Sequence, residues 1–518
     1  MQNGTDEELD FTPQWMGHPK GLFYLFFAEL WERFSFYGMR ALLTLYMVNR
    51  VFEALANRDA VSAVIYSAYG SLVYASPAIG GKIADQILGY RKSILLGGVL
   101  MAIGHFVLAI EHNVAFFLAL AFLVVGNGFF KPNISTFVGS LYPADDARKD
   151  SGFTIFYMGI NIGATISPLL CGWLGYTYGW HYGFGLAGFG MLLGLMFFYS
   201  GIKNGVFGDK GLPPAHSKIN EKVMGLKLGT LVPVLAFLMV PVIAWLISSY
   251  QYIANGESFL GEVTIVNVIF RLMSIVILGY LLYEIIRATA EERGKLVVAI
   301  LITLFMTLFW GFHELSGSVI TLFADRNVLL PTFGTWAFGA AETNAINPLF
   351  IILLSIPVSI MWTGLSKRNL NPRTPFKFSF GLALLGIGFL ILSWSGASAN
   401  EQGMVPFAYL TIMYAMISLG ELFMSPVGLS KITSLSPIRM VAFMMGVWFL
   451  SSAYAFQIVG FIGKELAVEG TAGQAVGGLD SLGVYTAGFE LIAYYALGGA
   501  AIALLLAPLM NKWMGNVH

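Results

Sequence analysis

The sequence predicts an all-α membrane protein whose fourteen spans fall into groups of six, two and six. Three observations predict it. The 518 residues are 57% hydrophobic and 11% charged with mean hydropathy +0.73, more apolar side chain than a water-facing fold can bury. Apolar stretches, each about long enough to cross a ~30 Å hydrocarbon core as a helix, recur from Gly21 almost to Met514. Lysine and arginine gather in alternate connections, as they do when a chain crosses back and forth from a cytoplasmic side.

In order, the expected spans are 21–48, 61–84, 92–110, 114–138, 152–176, 181–200, 228–249, 263–286, 296–324, 344–365, 376–395, 404–430, 440–466 and 485–513. The basic residues near span ends, from Lys20, Arg91 and Lys92 through Arg148, Lys203, Lys218, Arg287, Arg368 and Lys377 to Lys431, Arg439 and Lys512, fall on one side. The other side carries only Arg50, Arg58, Arg326 and Lys464, so both termini are expected in the cytoplasm, which requires an even number of spans. The polar connector 201–227, GIKNGVFGDKGLPPAHSKINEKVMGLK, divides six spans (1–200) from the rest. Residues 228–290 hold a pair with few embedded polar groups besides Arg271, expected as a peripheral hairpin, and 291–518 form a second group of six. Short echoes between the halves fit this division: GFFKPN at 128–133 against GELFMSPV at 420–427, and MGIN at 158–161 against MGVW at 445–448. The glycine-dense run GFGLAGFGMLLG at 183–194 is expected to serve close helix packing.

Composition also excludes. With 29 basic and 29 acidic residues the chain has no basic face for nucleic acid. Its single cysteine, Cys171, lies in an apolar run and rules out an intrachain disulfide. The first twenty residues are polar and acidic, unlike a secretory signal, and are expected to be retained. His313–Glu314 starts like a zinc-binding HExxH motif but continues Leu-Ser-Gly, so no metal site is expected. No GxSxG or paired-cysteine motif points to an intramembrane enzyme.

Embedded charges carry the functional reading, because a charge at the bilayer centre costs ~2.5–3.5 kcal/mol on insertion scales and has to be paired or used. In FFAELWERFSFYGMRALLTLY, a helix places Glu29, Glu32, Arg33, Phe36, Tyr37 and Arg40 on one broad stripe. Two carboxylates flanking a guanidinium can exchange a proton, since one acid holds the arginine while the other is neutral. The plainer alternative, a cluster that only fixes packing, is dearer than apolar packing. Lys131 precedes Pro132 after a long uncharged run, which places its ammonium inside the bundle in need of a carboxylate partner; the alternative is snorkelling to the interface. Glu314 and Glu421 fall near mid-span in the second half. His313 is expected to point away from Glu314 and to serve as a packed polar residue. The embedded acids Glu29, Glu32, Glu314 and Glu421 outnumber the bases Arg33, Arg40 and Lys131 by one, and that spare acid is the expected proton carrier.

These residues resemble a specific family. ELWERFSFYG at 29–38 is similar to an ExxERFxYYG motif, FYMGINIGATISPLLCGWLG at 156–175 to a span-five signature, and GGKIADQILGYRK at 80–92 to the loop between spans two and three. FWGFHELSGSVITLFAD, NPLFIILLSIP and GELFMSPVGLSKI are similar to second-half motifs. Together, and in this order over nearly the whole chain, they are similar to the proton-dependent oligopeptide transporters, the peptide transporter family of the major facilitator superfamily, whose bacterial members carry an extra helix pair.

The resemblance implies two six-helix bundles with a helix pair between them, and a proton-coupled symporter of di- and tripeptides in the bacterial inner membrane. Lipid bilayer, peptide and protons are its implied partners, and no cofactor beyond the proton is expected. It implies a coupling group of Glu29, Glu32, Arg33, Lys131 and Glu314. Arg33, Lys131, Tyr37 and Tyr74 are implied around the peptide carboxylate, with Glu421, Asn161 and Asn347 at its amino terminus and backbone. Ser425, Trp310 and Trp448 are implied in side-chain pockets, and Arg40 with Glu314 as a gate between the halves. Three positions depart from the family pattern: Phe36 replaces a tyrosine, Leu315 stands where glutamine is frequent, and span two has Ser67 where animal members carry histidine. Coupling through a span-two histidine is thereby excluded. Another solute on the same scaffold, such as a peptidomimetic drug, nitrate or a glycoside, is the nearest rival. Nitrate is disfavoured because Glu421 and the acidic stripe suit a cationic amino group.

Overall fold

The structure, a computed structural model, describes residues 14–143, 145–249, 264–471, 473–474 and 476–515; side chains at 425–427, 429–430 and 442 lie outside the description. The expected spans thus fall within it except for residues 263 of the hairpin and the connection before it, 250–262.

Sixteen α-helices are described: α1 Lys20–Tyr46, α2 Arg58–Ala75, α3 Pro77–Ile83, α4 Gly89–Leu108, α5 Asn113–Ser140, α6 Lys149–Tyr178, α7 Trp180–Lys203 and α8 Leu228–Ser248, then α9 Ile265–Arg287, α10 Ala290–His313, α11 Val319–Asn327, α12 Ile346–Lys367, α13 Thr374–Trp394, α14 Phe407–Leu435, α15 Val441–Glu465 and α16 Gly478–Met514. Twelve stretches among the described residues are long and apolar enough to cross a membrane. The stretch Arg58–Leu108 crosses twice, since α2 and α3 go over and α4 returns, and α1 adds a crossing that its charged stripe hides from hydropathy. Fourteen crossings result, as expected. Helices dominate because lipid offers no partner for a backbone N–H or C=O, so each span has to satisfy its own.

Chemistry at the helix ends follows local sequence. Thr264 with Asn267 opens α9 and Thr289 with Glu292 opens α10, each as a reciprocal capping box. Eight two-residue strands pair into four short ladders in the connections, among them Val328–Leu329 beside Val405–Pro406.

The first six spans pack as one bundle around α1, which is flanked by α6 and α7; the last six pack around α10 and α14. The expected role of the glycine run holds: Gly190 of α7 faces the Phe34 ring, and a Cβ at Gly194 would stand 3.0 Å from the Ala28 carbonyl oxygen of α1. The extra pair is peripheral. Val232 and Ala236 of α8 pack with Leu100 and Phe129, whereas Val266 and Phe270 of α9 pack with Ala453 on α15. Arg271 is exposed on the outward face of α9.

Where α4 meets α5 the two backbones nearly touch: a Cβ at Gly97 would lie 2.5 Å from the Gly126 carbonyl oxygen and 2.6 Å from the Phe130 nitrogen. Neither obstacle is a side chain that can turn away, and in lipid such close packing replaces the hydrophobic driving force. Gly97→Ala is therefore expected to cost about 1–3 kcal/mol through forced separation of the helices, read as a lowered thermal midpoint of detergent-solubilised protein. An unchanged midpoint would mean that this contact has slack.

Candidate functional site

The stripe on α1 is buried and internally paired. Arg33 donates through Nη2 to Glu32 Oε1 at 2.6 Å and through Nε to Glu32 Oε2, and its Nε lies 3.2 Å from Glu29 Oε1. A planar guanidinium can engage both acids at once because Glu29 and Arg33 are one helical turn apart. Glu29 keeps one buried oxygen, Oε2, without a hydrogen-bond partner among the described residues. The guanidinium also lies 5.4 Å from the centre of the Phe36 ring, so the ring that replaces the family's tyrosine is a packing surface here.

Between the two bundles is a cavity of about 290 Å³. From the first half it is lined by Glu29, Arg33, Tyr37 and Arg40 of α1, Tyr74 of α2, Lys131 of α5 and Asn161 of α6; from the second by Trp310, Glu314, Asn347 and Glu421. Eleven residues singled out in the sequence thus come together around one space. Glu32 lies behind Arg33 and is fully buried. Trp448 does not line this cavity: it is buried, and its ring occupies the place where a Cβ on Gly428 would stand. Ser425 lies on α14 with its side chain outside the described residues.

The permanent cations lining this space, Arg33, Arg40 and Lys131, all belong to the first half, whereas the second half contributes the acids Glu314 and Glu421. Lys131 differs from expectation, since no carboxylate oxygen among the described residues comes within ion-pair distance of it; Nζ lies instead 4.8 Å from the centre of the Tyr74 ring. The nearby acids are engaged by Arg33, which leaves the ring face as the ammonium's partner. It lines the cavity and does not snorkel to the interface. In the second half, Glu421 Oε2 accepts from Asn347 Nδ2 at 3.3 Å and lies 3.3 Å from His313 Nε2. Asn347 is held in turn by Ser418 Oγ at 2.9 Å. His313 does point away from Glu314, but it is more than packing: its ring holds the Glu421 carboxylate and meets Trp310 edge-on at 4.8 Å.

Two ion pairs join the halves on the side of the membrane opposite the termini. Arg40 Nη2 lies 2.5 Å from Glu314 Oε2, and the same guanidinium donates to Tyr66 at 2.8 Å and to Ser316 at 3.3 Å. Glu314 can reach across because the ninth span is broken: the 3₁₀ turn Glu314–Gly317 separates α10 from α11, and Thr44 donates to the freed Gly317 carbonyl at 2.7 Å. Further out, Asp59 of α2 binds Arg326 of α11 at 2.6 and 2.8 Å, with Tyr485 also accepting from Arg326 at 2.8 Å. Sequence reading missed this second pair because both residues fall at the ends of spans, where charge is cheap and unremarkable. Ser67 of α2 donates to the Phe456 carbonyl on α15 at 2.6 Å, so the position of the absent histidine forms a direct contact between the halves. With these contacts made, the cavity is closed on the side away from the termini.

The coupling of Arg40 and Glu314 can be measured with a double-mutant cycle. Arg40→Gln or Glu314→Gln alone leaves a buried charge unpaired and is expected to lower stability by roughly 1–3 kcal/mol, read from thermal unfolding in detergent. The double variant is expected to lose clearly less than the two singles together. Additive losses would show that the two residues do not stabilise each other.

Comparison with known proteins agrees with this architecture. The profile of the POT family matches residues 91–475. The chain is 34% identical over 510 residues to the uncharacterized transporter YclF of Bacillus subtilis, covering 97% of this chain and 96% of that one. It is 36% identical over 470 residues to a di-/tripeptide transporter of Lactococcus lactis, with 88% and 90% covered. Among solved structures, a crystal structure of the peptide transporter POT in complex with sulfate superposes with TM-score 0.81 at 34% identity, covering 97% of both chains. A POT family transporter in complex with a thioalcohol conjugated peptide superposes with TM-score 0.78 at 31% identity, over 96% and 98%. On the profile match and on identity along almost its entire length, the chain belongs to the POT family of membrane transporters.

Proposed function

We propose that the chain is a proton-coupled symporter that imports di- and tripeptides by alternating access, in the inner membrane of a bacterium with both termini in the cytoplasm. The observation that carries this reading is the opposition of charge across the cavity: Arg33 and Lys131 on one half, Glu421 on the other. Charges so placed suit a short zwitterion, whose carboxylate and ammonium are the two features every small peptide shares, while Tyr37, Tyr74 and Trp310 tolerate varied side chains. Relatives named as di-/tripeptide transporters support the substrate class.

Charge balance supports one proton per peptide. The acids Glu29, Glu32, Glu314 and Glu421 exceed the bases Arg33, Arg40 and Lys131 by one. A zwitterion changes nothing in that sum, whereas a zwitterion with one proton makes it neutral. A neutral loaded cavity can change sides without dragging net charge through lipid. The proton's natural seat is the stripe on α1, where neutralising one acid loosens Arg33 and leaves it free for the peptide carboxylate. In the proposed cycle, peptide and proton enter from outside, the halves rock, and Arg40–Glu314 closes behind them. Loss of the proton to the cytoplasm restores Arg33 to Glu32 and expels the carboxylate. The pairs Arg33–Glu32 and Arg40–Glu314 seen together fit the end of that sequence. One proton crossing ~100 mV supplies about 2.3 kcal/mol, which at ~1.4 kcal/mol per tenfold concentrates a neutral zwitterion roughly 40-fold.

The test is uptake of labelled dialanine into proteoliposomes with an inside-negative potential and an acid exterior. Wild type is expected to accumulate it in a manner abolished by an uncoupler, and Glu32→Gln to retain only exchange of peptide across the membrane. Accumulation by Glu32→Gln equal to wild type would remove the α1 stripe from coupling, and failure of wild type with several peptides would point to another solute.

A further inference from the structure

One buried acid takes no part in the contacts above. Glu342 lies in the 3₁₀ turn Ala341–Ala345 that leads into α12, is 0% exposed, and has no hydrogen-bond partner for either carboxyl oxygen among the described residues. The turn belongs to the second half and packs on α6 of the first. Its Oε2 is 2.9 Å from where a Cβ on Gly172 of α6 would stand and 2.6 Å from where one on Gly339 would. The carboxyl group therefore rests on bare α6 backbone, in the seam that closes the cavity on its outer side.

The groups facing it include no counter-charge. From α6 comes Tyr176, whose ring crowds the same point on Gly339 at 2.7 Å and whose hydroxyl donates to Asp325 of α11 at 3.3 Å. The indole N–H of Trp336, which has no partner of full hydrogen-bond geometry among the described residues, is directed toward this carboxyl group. On α1, which also packs on this turn, Arg40 is bound to Glu314, and Arg326 beside Asp325 is bound to Asp59. A carboxylate closed into such a place loses its water and gains no cation; the N–H groups of Trp336, Gly339 and its own backbone point toward it, but burial outweighs them and favours the neutral acid. Parting α6 from the turn would return the group to water, where the charged form is the stable one.

We propose that Glu342 is a proton-binding site of the outer seam, distinct from the acids of the central cavity, which takes a proton from the outside solution as the two halves close and gives it back to the same side when they part. The inference rests on the alternating-access reading. It has a specific consequence: this proton is bound and released on one face, so it adds to the pH sensitivity of closure and nothing to the number of protons transported per peptide. Acid outside favours the closed seam, and alkaline outside holds it open.

Pulsed electron-spin distance measurement tests this, with labels at Val114 and Leu479, exposed positions at the outer ends of α5 and α16, in a Cys171→Ala background. Raising the pH from about 5.5 to about 8.5 is expected to lengthen the distance in wild type, and in Glu342→Gln, a neutral isostere, the short distance is expected to persist about one pH unit higher or more. Glu342→Asp, which keeps the acid, is expected to keep the pH response. An unchanged profile in Glu342→Gln overturns the proposal. Thermal unfolding gives a second reading that needs no transport: the midpoint of Glu342→Gln minus that of wild type is expected to widen with rising pH, because the native state of wild type binds the extra proton and loses stability as the solution removes it. A gap that stays constant with pH also overturns the proposal. If wild type accumulates no peptide while the gap widens, the transport reading fails and the proton site stands.

Discussion

A charge in the middle of a membrane has two affordable places, beside an opposite charge or beside enclosed water, and nearly everything distinctive in this molecule follows from meeting that constraint. Four charges within three turns of α1 cannot face lipid, so α1 becomes the centre of its bundle, covered by α6 and α7. Its inward stripe then divides. Glu29, Glu32 and Arg33 satisfy one another within the helix, whereas Arg40 has no local acid and is satisfied from the other half by Glu314. The internal cluster can hold a proton without moving a helix; the external pair can exist only when the halves meet. The proposed coupling group and the pair that joins the halves thus sit on the same helix, two turns apart.

The same constraint accounts for the broken ninth span. A continuous helix has no free carbonyl to offer, but the 3₁₀ turn Glu314–Gly317 opens the ladder beside enclosed polar groups, where Thr44 donates to the Gly317 carbonyl and Thr321 to the Ser316 carbonyl. Irregular backbone occurs where it is sheltered by protein. The glycines at other helix contacts serve a related end: Gly163 of α6 lies so close to α1 that a Cβ would stand 2.4 Å from the Leu30 carbonyl oxygen, and Gly172 leaves room for the Glu342 carboxyl. Gly163 sets the packing within the first bundle, and Gly172 sets how closely the halves approach at the seam, a distance that decides whether the acid between them can be solvated.

Much of the fold was legible because lipid simplifies the code. Span number follows from hydropathy and from the even count that basic connections demand, and Glu29, Glu32, Arg33, Lys131 and Glu421 stood out as charges in apolar sequence. Their partners were harder. Lys131 was expected on a carboxylate, yet it faces the Tyr74 ring because Arg33 occupies the acids first, a competition that no single helix reveals. His313 was expected as filler, and the rotation of α10 against α14 brings it to Glu421. Asp59, Arg326 and Glu342 were invisible for a common reason: each falls at the edge of a span, where hydropathy assigns charge to water. The connections fold back over the bundle and bury them.

That last group alters the accounting of charge. Asp59 and Arg326 cancel, leaving the seam neutral however it is arranged, but Glu342 has no such partner among the described residues. A seam held only by Arg40–Glu314 and Asp59–Arg326 would close with a strength that varies little in the range where carboxylates with ordinary solvation stay ionised. Adding one unpaired acid makes closure depend on a proton from outside. On the proposed cycle the cavity and the seam respond to the same solution for different reasons, the cavity because a proton would accompany the cargo and the seam because a carboxylate cannot be shut away charged. On that cycle a single condition, acid outside, would both load the coupling proton and favour the closure that commits it.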